Sequence, residues 1–268
     1  MNIFDFVPRD GCSVKAYIHQ PIVSEKVAAR ACPAVIICPG GGYQFVSQRE
    51  AEAVALPYFT AGYNVFVLTY SVGREGAKDL KPLCQLASAL AEVRRNADEW
   101  LVDKNKIAVC GFSAGGHLAA SLGVLYNNER FLRTFGRQDN IRPDAMILGY
   151  PVITADEYAH TASIEHVSGE PAGSDGYKWF DLTRHVSADT PPAFLWHTAS
   201  DAAVPVENSL QMCAALSRAK VPFEYHVLPE GNHGLSVCTN EVGTPDKYNA
   251  RWLEWSIAWL NRLFDFEP

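Results

Sequence analysis

Short, unbroken apolar runs recur along the chain at residues 34–38, 64–69, 107–110, 145–149, 193–197 and 224–228, each bounded by Gly, Pro or Asp. Runs of this length with no alternating polar positions predict strands buried on both faces. Between them, helical patterns occupy 49–60, 80–101, 115–126, 206–219 and 248–264. Strand and helix alternate, which predicts an α/β fold: a mostly parallel central sheet with right-handed crossovers and helices on both faces. Residues 4–7 and 13–19 alternate polar with apolar instead and predict an antiparallel hairpin at one edge of that sheet.

One interval breaks the rhythm. Residues 151–192 contain no strand pattern and carry Tyr158, Tyr177, Trp179 and three histidines. This stretch reads as a cap-like insertion above the carboxyl ends of the strands, where open α/β sheets hold their ligands. Its aromatics either line a substrate pocket or pack the insertion onto the domain. With no linker-like or repeated segment, the whole chain, 1–268, is expected to form a single domain.

Composition acts mainly by exclusion. A net charge of −7 and a pI near 5.6 argue against nucleic acid as a partner, since phosphate binding needs clustered Lys and Arg. No apolar stretch reaches the ~18–20 residues of a membrane helix, and residues 1–10 lack the features of a signal peptide. A cytoplasmic protein with no membrane partner is expected, and a homo-oligomer stays open. The seven cysteines are odd in number and show no C-x-x-C spacing, so neither a disulfide framework nor a metal site is expected, and no cofactor.

The chemistry is concentrated in three loops. Gly111-Phe112-Ser113-Ala114-Gly115 fits G-x-S-x-G and falls between an apolar strand and a helix, where a nucleophilic serine is presented on a strained turn. The flanking glycines let the backbone pass close by, and the helix dipole favours developing negative charge. A serine hydroxyl needs a base, so an acid and a histidine should follow at the ends of later strands. Asp201 lies just past the run 193–197, and His233 just past 224–228, giving the order Ser, Asp, His. His117, His160, His166, His185 and His226 are poorer candidates for the base, because they lie in a helix, in the insertion or inside a strand. Asp156, Asp175, Asp181 and Asp189 have no preceding strand. Gly40-Gly41-Gly42 follows the first parallel strand, and the N–H groups of Gly41, Gly42 and Ala114 are expected to form an oxyanion hole.

Together these residues resemble the α/β-hydrolase superfamily, and within it the short-chain esterase branch of acetyl esterases and acetyl-xylan-esterase-like proteins. The resemblance runs through Pro39–Tyr43, Gly62–Leu68, Gly111–His117 and the Asp201 and His233 loops. One departure is Pro39, where hormone-sensitive-lipase-like relatives often carry histidine before the glycine run. The resemblance implies hydrolysis of short-chain esters, with a small acetylated ester or imported sugar as substrate rather than polymeric xylan. Tyr43 and Leu235 are expected to bind substrate by closing the space beside Ser113. The same motifs would also serve a serine peptidase or an amidase such as a formamidase, and a non-catalytic binding protein is the third reading.

Overall fold

A computed structural model of the chain describes residues 1–8, 11–20, 30–137 and 140–268. Among these, eight strands form one sheet: β1 (Asn2–Phe6), β2 (Ser13–Ile18), β3 (Cys32–Cys38), β4 (Asn64–Thr69), β5 (Val102–Phe112), β6 (Ala145–Gly149), β7 (Ala193–Thr198) and β8 (Phe223–Leu228). Their spatial order is β1-β2-β4-β3-β5-β6-β7-β8. The first two form the edge hairpin that the alternating pattern predicts, and β2 continues antiparallel onto β4. Every later pair is parallel, as in Val35↔Ala108 and Cys110↔Ile147.

Strand geometry sends successive side chains to opposite faces, and both faces of the central strands are covered. Ile36, Val109 and Leu148 join Leu86 and Leu90 of α3 (Lys81–Arg95) and Leu118 and Leu122 of α4 (Ala114–Leu125) in one core cluster. Their neighbours Val35, Ile37, Cys110 and Ile147 turn the other way, toward Tyr58 of α1 (Glu52–Thr60) and Trp252 and Leu260 of α9 (Arg251–Phe264). The remaining helices are α2 (Arg74–Ala77), α5 (Glu129–Phe135), α6 (Thr161–Ser168), α7 (Asp175–Lys178) and α8 (Glu207–Arg218).

Several boundaries differ from those the pattern predicts. The helix expected over 80–101 ends at Arg95, where Asn96 donates from both its backbone N–H and its side chain to the Glu92 carbonyl and so closes the last turn. The strand expected at 107–110 begins earlier, at Val102, which pairs with Cys32 of β3 before a register shift brings Ile107 opposite Ala34. Helix α5, seven residues long, is too short to show as a periodic run, although Asn128 caps its first turn and Phe131 stacks on Phe135.

Residues 151–192 hold no strand, in agreement with the pattern, but they do hold α6, α7 and a 3-10 turn, Leu182–His185. The segment leaves the carboxyl end of β6 and returns to the start of β7. Ile164, Val167, Tyr177, Phe180 and Leu182 are buried in the same core cluster as α3 and α4. Of the three aromatics singled out earlier, Tyr177 is therefore a packing residue. Trp179 lies under the Arg130 guanidinium, 4.2 Å away, and beside His185.

Candidate active site

Parallel strands β5, β7 and β8 end on the same edge of the sheet, and each hands over directly to one of the three loops read from the sequence. After β5 the chain turns sharply at Ser113, whose φ of 54° and ψ of −122° lie where residues with a side chain are strained. The turn is held by a hydrogen bond from the Ser113 N–H to the Gly149 carbonyl, 3.1 Å. A Cβ on Gly115 would lie 2.1 Å from the Cys38 carbonyl oxygen, and one on Gly111 would lie 2.1 Å from that of Gly115. No side chain fits either place, which is the steric role expected of the flanking glycines.

Ser113, His233 and Asp201 meet in a continuous relay. The Ser113 hydroxyl is 2.8 Å from His233 Nε2, and His233 Nδ1 is 2.7 Å from Asp201 Oδ2. Because the carboxylate only accepts, Nδ1 carries the proton and Nε2 is left to accept from the serine. Asp201 is held rigidly: its Oδ1 accepts the N–H groups of Ala203 and Val204, both at 3.0 Å. Burial opposes its charge, but hydrogen bonds from His197 and His233 prevail and hold its carboxyl well below the usual carboxylate range. His197, buried in β7, has Nε2 3.4 Å from Asp201 Oδ2 and also donates to the Val204 carbonyl. The sequence carries no signal for His197, because a histidine inside an apolar strand gives no sign of which face it takes.

The glycine run lies against the serine turn. A Cβ on Gly40 would come within 3.0 Å of Ser113 Cβ. Among the described residues, the N–H groups of Gly41, Gly42 and Ala114 donate to no protein acceptor, while the Gly40 N–H is taken by Glu50 Oε2 at 2.7 Å. Tyr70 fixes the run from below by donating to the Pro39 carbonyl, 2.6 Å.

Tyr43 and Leu235, expected to close the space next to Ser113, are placed differently. The Tyr43 ring is wholly buried, and its hydroxyl donates to His117 Nδ1 at 2.9 Å, so the side chain braces α4 instead of facing solvent beside the serine. Leu235 is buried in the core, and its Cδ1 packs where a Cβ on Gly231 would lie. His117 is an enclosed histidine whose Nε2 donates to the Phe180 carbonyl, and burial pushes its ring down to about 4. Enclosed there and bonded to Tyr43 and Phe180, it is not placed to serve as the base, in keeping with its position in the helix.

Among the described residues no group of His, Cys, Asp and Glu could hold a metal ion, and no helix is long and apolar enough to cross a membrane.

Fold and site together are those of an α/β hydrolase, an enzyme. The BD-FAE family profile matches residues 21–216, and the chain belongs to the BD-FAE family. The endo-1,4-β-xylanase B of Butyrivibrio fibrisolvens is 36% identical to it over 245 residues, covering 89% of this chain and 36% of that protein. The acetylxylan esterase of Xylanibacter ruminicola is 29% identical over 240 residues, covering 86% of this chain and 45% of that protein. The chain thus spans less than half the length of these two curated relatives. Among solved structures, the acetyl ester-xyloside bifunctional hydrolase of Caldicellulosiruptor lactoaceticus has a TM-score of 0.81 at 34% identity, covering 96% of this chain and 89% of that one.

Proposed function

We propose that the protein is a serine carboxylesterase that removes short acyl groups, acetyl above all, from small esters such as acetylated sugars. The observation that carries this reading is the relay Ser113–His233–Asp201, with 2.8 Å and 2.7 Å links, at the mouth of a turn beside three unengaged backbone N–H groups.

His233 Nε2 takes the Ser113 proton as Oγ attacks the ester carbonyl carbon. The carbonyl oxygen becomes an oxyanion, received by the N–H groups of Gly41, Gly42 and Ala114, each worth roughly 2.7–4 kcal/mol in the transition state. The imidazolium, steadied by Asp201, returns its proton to the departing alkoxide, leaving acyl-Ser113 and free alcohol. Water then attacks the acyl carbon, again with His233 as base, and the acid is released.

The names of the relatives support the acyl half of this reading: one is an acetylxylan esterase and another an acetyl ester-xyloside hydrolase. The test is a parallel assay of p-nitrophenyl acetate, acetylated xylosides and N-formyl or aminoacyl amides with purified wild type and Ser113→Ala. Acetyl release that depends on Ser113 is the expected result. Faster turnover of the amides would move the protein to the amidase reading.

A further inference from the structure

A buried carboxyl outside the relay lies against the glycine run. Glu50, on the 3-10 turn Gln48–Glu50, is 4% exposed and has no salt-bridge partner among the described residues. Its Oε2 accepts the Gly40 N–H and its Oε1 the Tyr150 hydroxyl, both at 2.7 Å. The Tyr150 oxygen accepts in turn the N–H of Ser236, 2.9 Å away and three residues past His233. The Tyr150 ring stands edge-to-face with the His233 ring, centroids 5.1 Å apart. One side chain therefore ties the glycine run on one side of Ser113 to the histidine loop on the other.

The donors around this group favour its charged form. The Gly40 amide can only donate. The Tyr150 oxygen already accepts from Ser236, so its own proton has no acceptor but Glu50. Both carboxyl oxygens face donors, an arrangement that suits a carboxylate, which only accepts, better than a carboxylic acid or an amide, which must also place a proton. Burial pushes the Glu50 carboxyl above its usual range, and the Tyr150 and Gly40 hydrogen bonds with the nearby His233 and Arg49 offset that only in part, so the charged form is held by its donors against its burial. The groups facing it are Arg49 on its own turn, Tyr70 after β4, Cys110 on β5, Tyr150 after β6 and His233. Burial keeps the protons on Tyr70, Cys110 and Tyr150, so among the described residues the charges in this circle are Glu50, Arg49 and the histidine as it protonates. His233 also faces Asp201 and His160, and burial holds the His160 ring low.

We infer that Glu50 is a second, buried carboxylate of the site, a positioning residue that sets the oxyanion loop and the histidine loop in mutual register and whose charge favours the His233 imidazolium. The inference rests on the serine esterase reading. Its two effects are separable, because Tyr150 carries the register and the carboxylate carries the charge.

The test uses the full chain and p-nitrophenyl acetate from pH 5 to 9, with wild type, Glu50→Gln, Glu50→Asp, Tyr150→Phe and Ser113→Ala, and a thermal melt of each. Glu50→Gln is expected to lower kcat about tenfold or more with KM nearly unchanged, since misplacing a reacting group by ~1 Å costs up to ~100-fold. The acid limb of kcat/KM should move to lower pH by about half a pH unit, as removal of a nearby negative charge makes the histidine easier to deprotonate. Glu50→Asp should keep the limb in place and recover part of kcat. Tyr150→Phe should lower kcat with the limb unmoved. A folded Glu50→Gln protein whose limb stays put overturns the inference. So does a Tyr150→Phe protein with wild-type kcat, which decides the matter even if Glu50→Gln does not fold. Failure of the underlying reading shows elsewhere, as activity surviving in Ser113→Ala.

Discussion

Thr198 Oγ1 donates to the Gly231 carbonyl across 2.9 Å, joining the end of β7 to the loop that carries His233. Ser200 adds a reciprocal pair, donating to the same carbonyl at 3.2 Å and accepting the Gly231 N–H at 3.0 Å. The loops of Asp201 and His233 are thus stitched together before either side chain is considered. Thr198→Val keeps the shape and removes one stitch, whose net worth is about 0.5–1.5 kcal/mol. We expect kcat to fall about three- to tenfold with little change in KM, read from steady-state ester hydrolysis. Wild-type kcat with a lowered Tm would mean that the bond serves the fold alone.

The relay should behave as a unit. Ser113→Ala is expected to lower kcat by about 10⁶, His233→Ala by a similar factor and Asp201→Ala by somewhat less, with the Ser113/His233 double variant no worse than either single one. Single-turnover measurements on an activated ester would check this. Retention of a tenth of wild-type rate by Ser113→Ala would remove the serine from its role.

His117 makes stability depend on pH. Its ring titrates at about 4 in the folded protein, below the ordinary histidine value near 6.5. The unfolded chain therefore takes up a proton that the folded chain refuses. Stability from this residue is complete above pH ~6.5 and is lost progressively as pH falls toward 4, by about 3 kcal/mol in all. The comparison is a series of thermal melts of wild type and His117→Gln over pH 4–7.5. The variant should show a flatter fall of Tm with acidity, and parallel curves would refute the assignment.

Acyl chain length should be restricted. Apolar side chains of residues 151–192, among them Ile164, Val167, Phe180 and Leu182, are buried against the core and are not free to line an apolar groove. Without one, each added methylene forgoes the ~0.8 kcal/mol it would gain on burial. For p-nitrophenyl esters, kcat/KM should peak between acetate and butyrate and drop at least tenfold by decanoate. A rise with chain length would point to a lipase.

Much of this was legible in the sequence for a physical reason. Central strands such as β3 and β6 are buried on both faces, so they read as uninterrupted apolar runs, and the residues just after them fall on one edge of the sheet. That placed Ser113, Asp201 and His233 together from order alone. Helices α6 and α7 were illegible because eight and four residues carry too little periodicity. Glu50, just ahead of an apolar helix, looks like a solvated first-turn acid, and it is enclosed by residues distant in the chain, among them Tyr70, Cys110 and Tyr150. Tyr43 and Leu235 show the limit of reasoning from proximity in the chain: each neighbours a functional loop, yet its side chain points into the protein.

The turn at Ser113 has an evolutionary corollary. A side-chain-bearing residue at a φ of 54° is held there against about 1–3 kcal/mol of conformational preference, and that burden is borne by the whole fold at every moment, reacting or not. Glycine at 113 would relieve it and, on the proposed mechanism, remove the nucleophile in the same step. A lineage released from the need to hydrolyse esters should therefore drift toward glycine at this position and become harder to unfold, so the serine persists only under selection for the reaction.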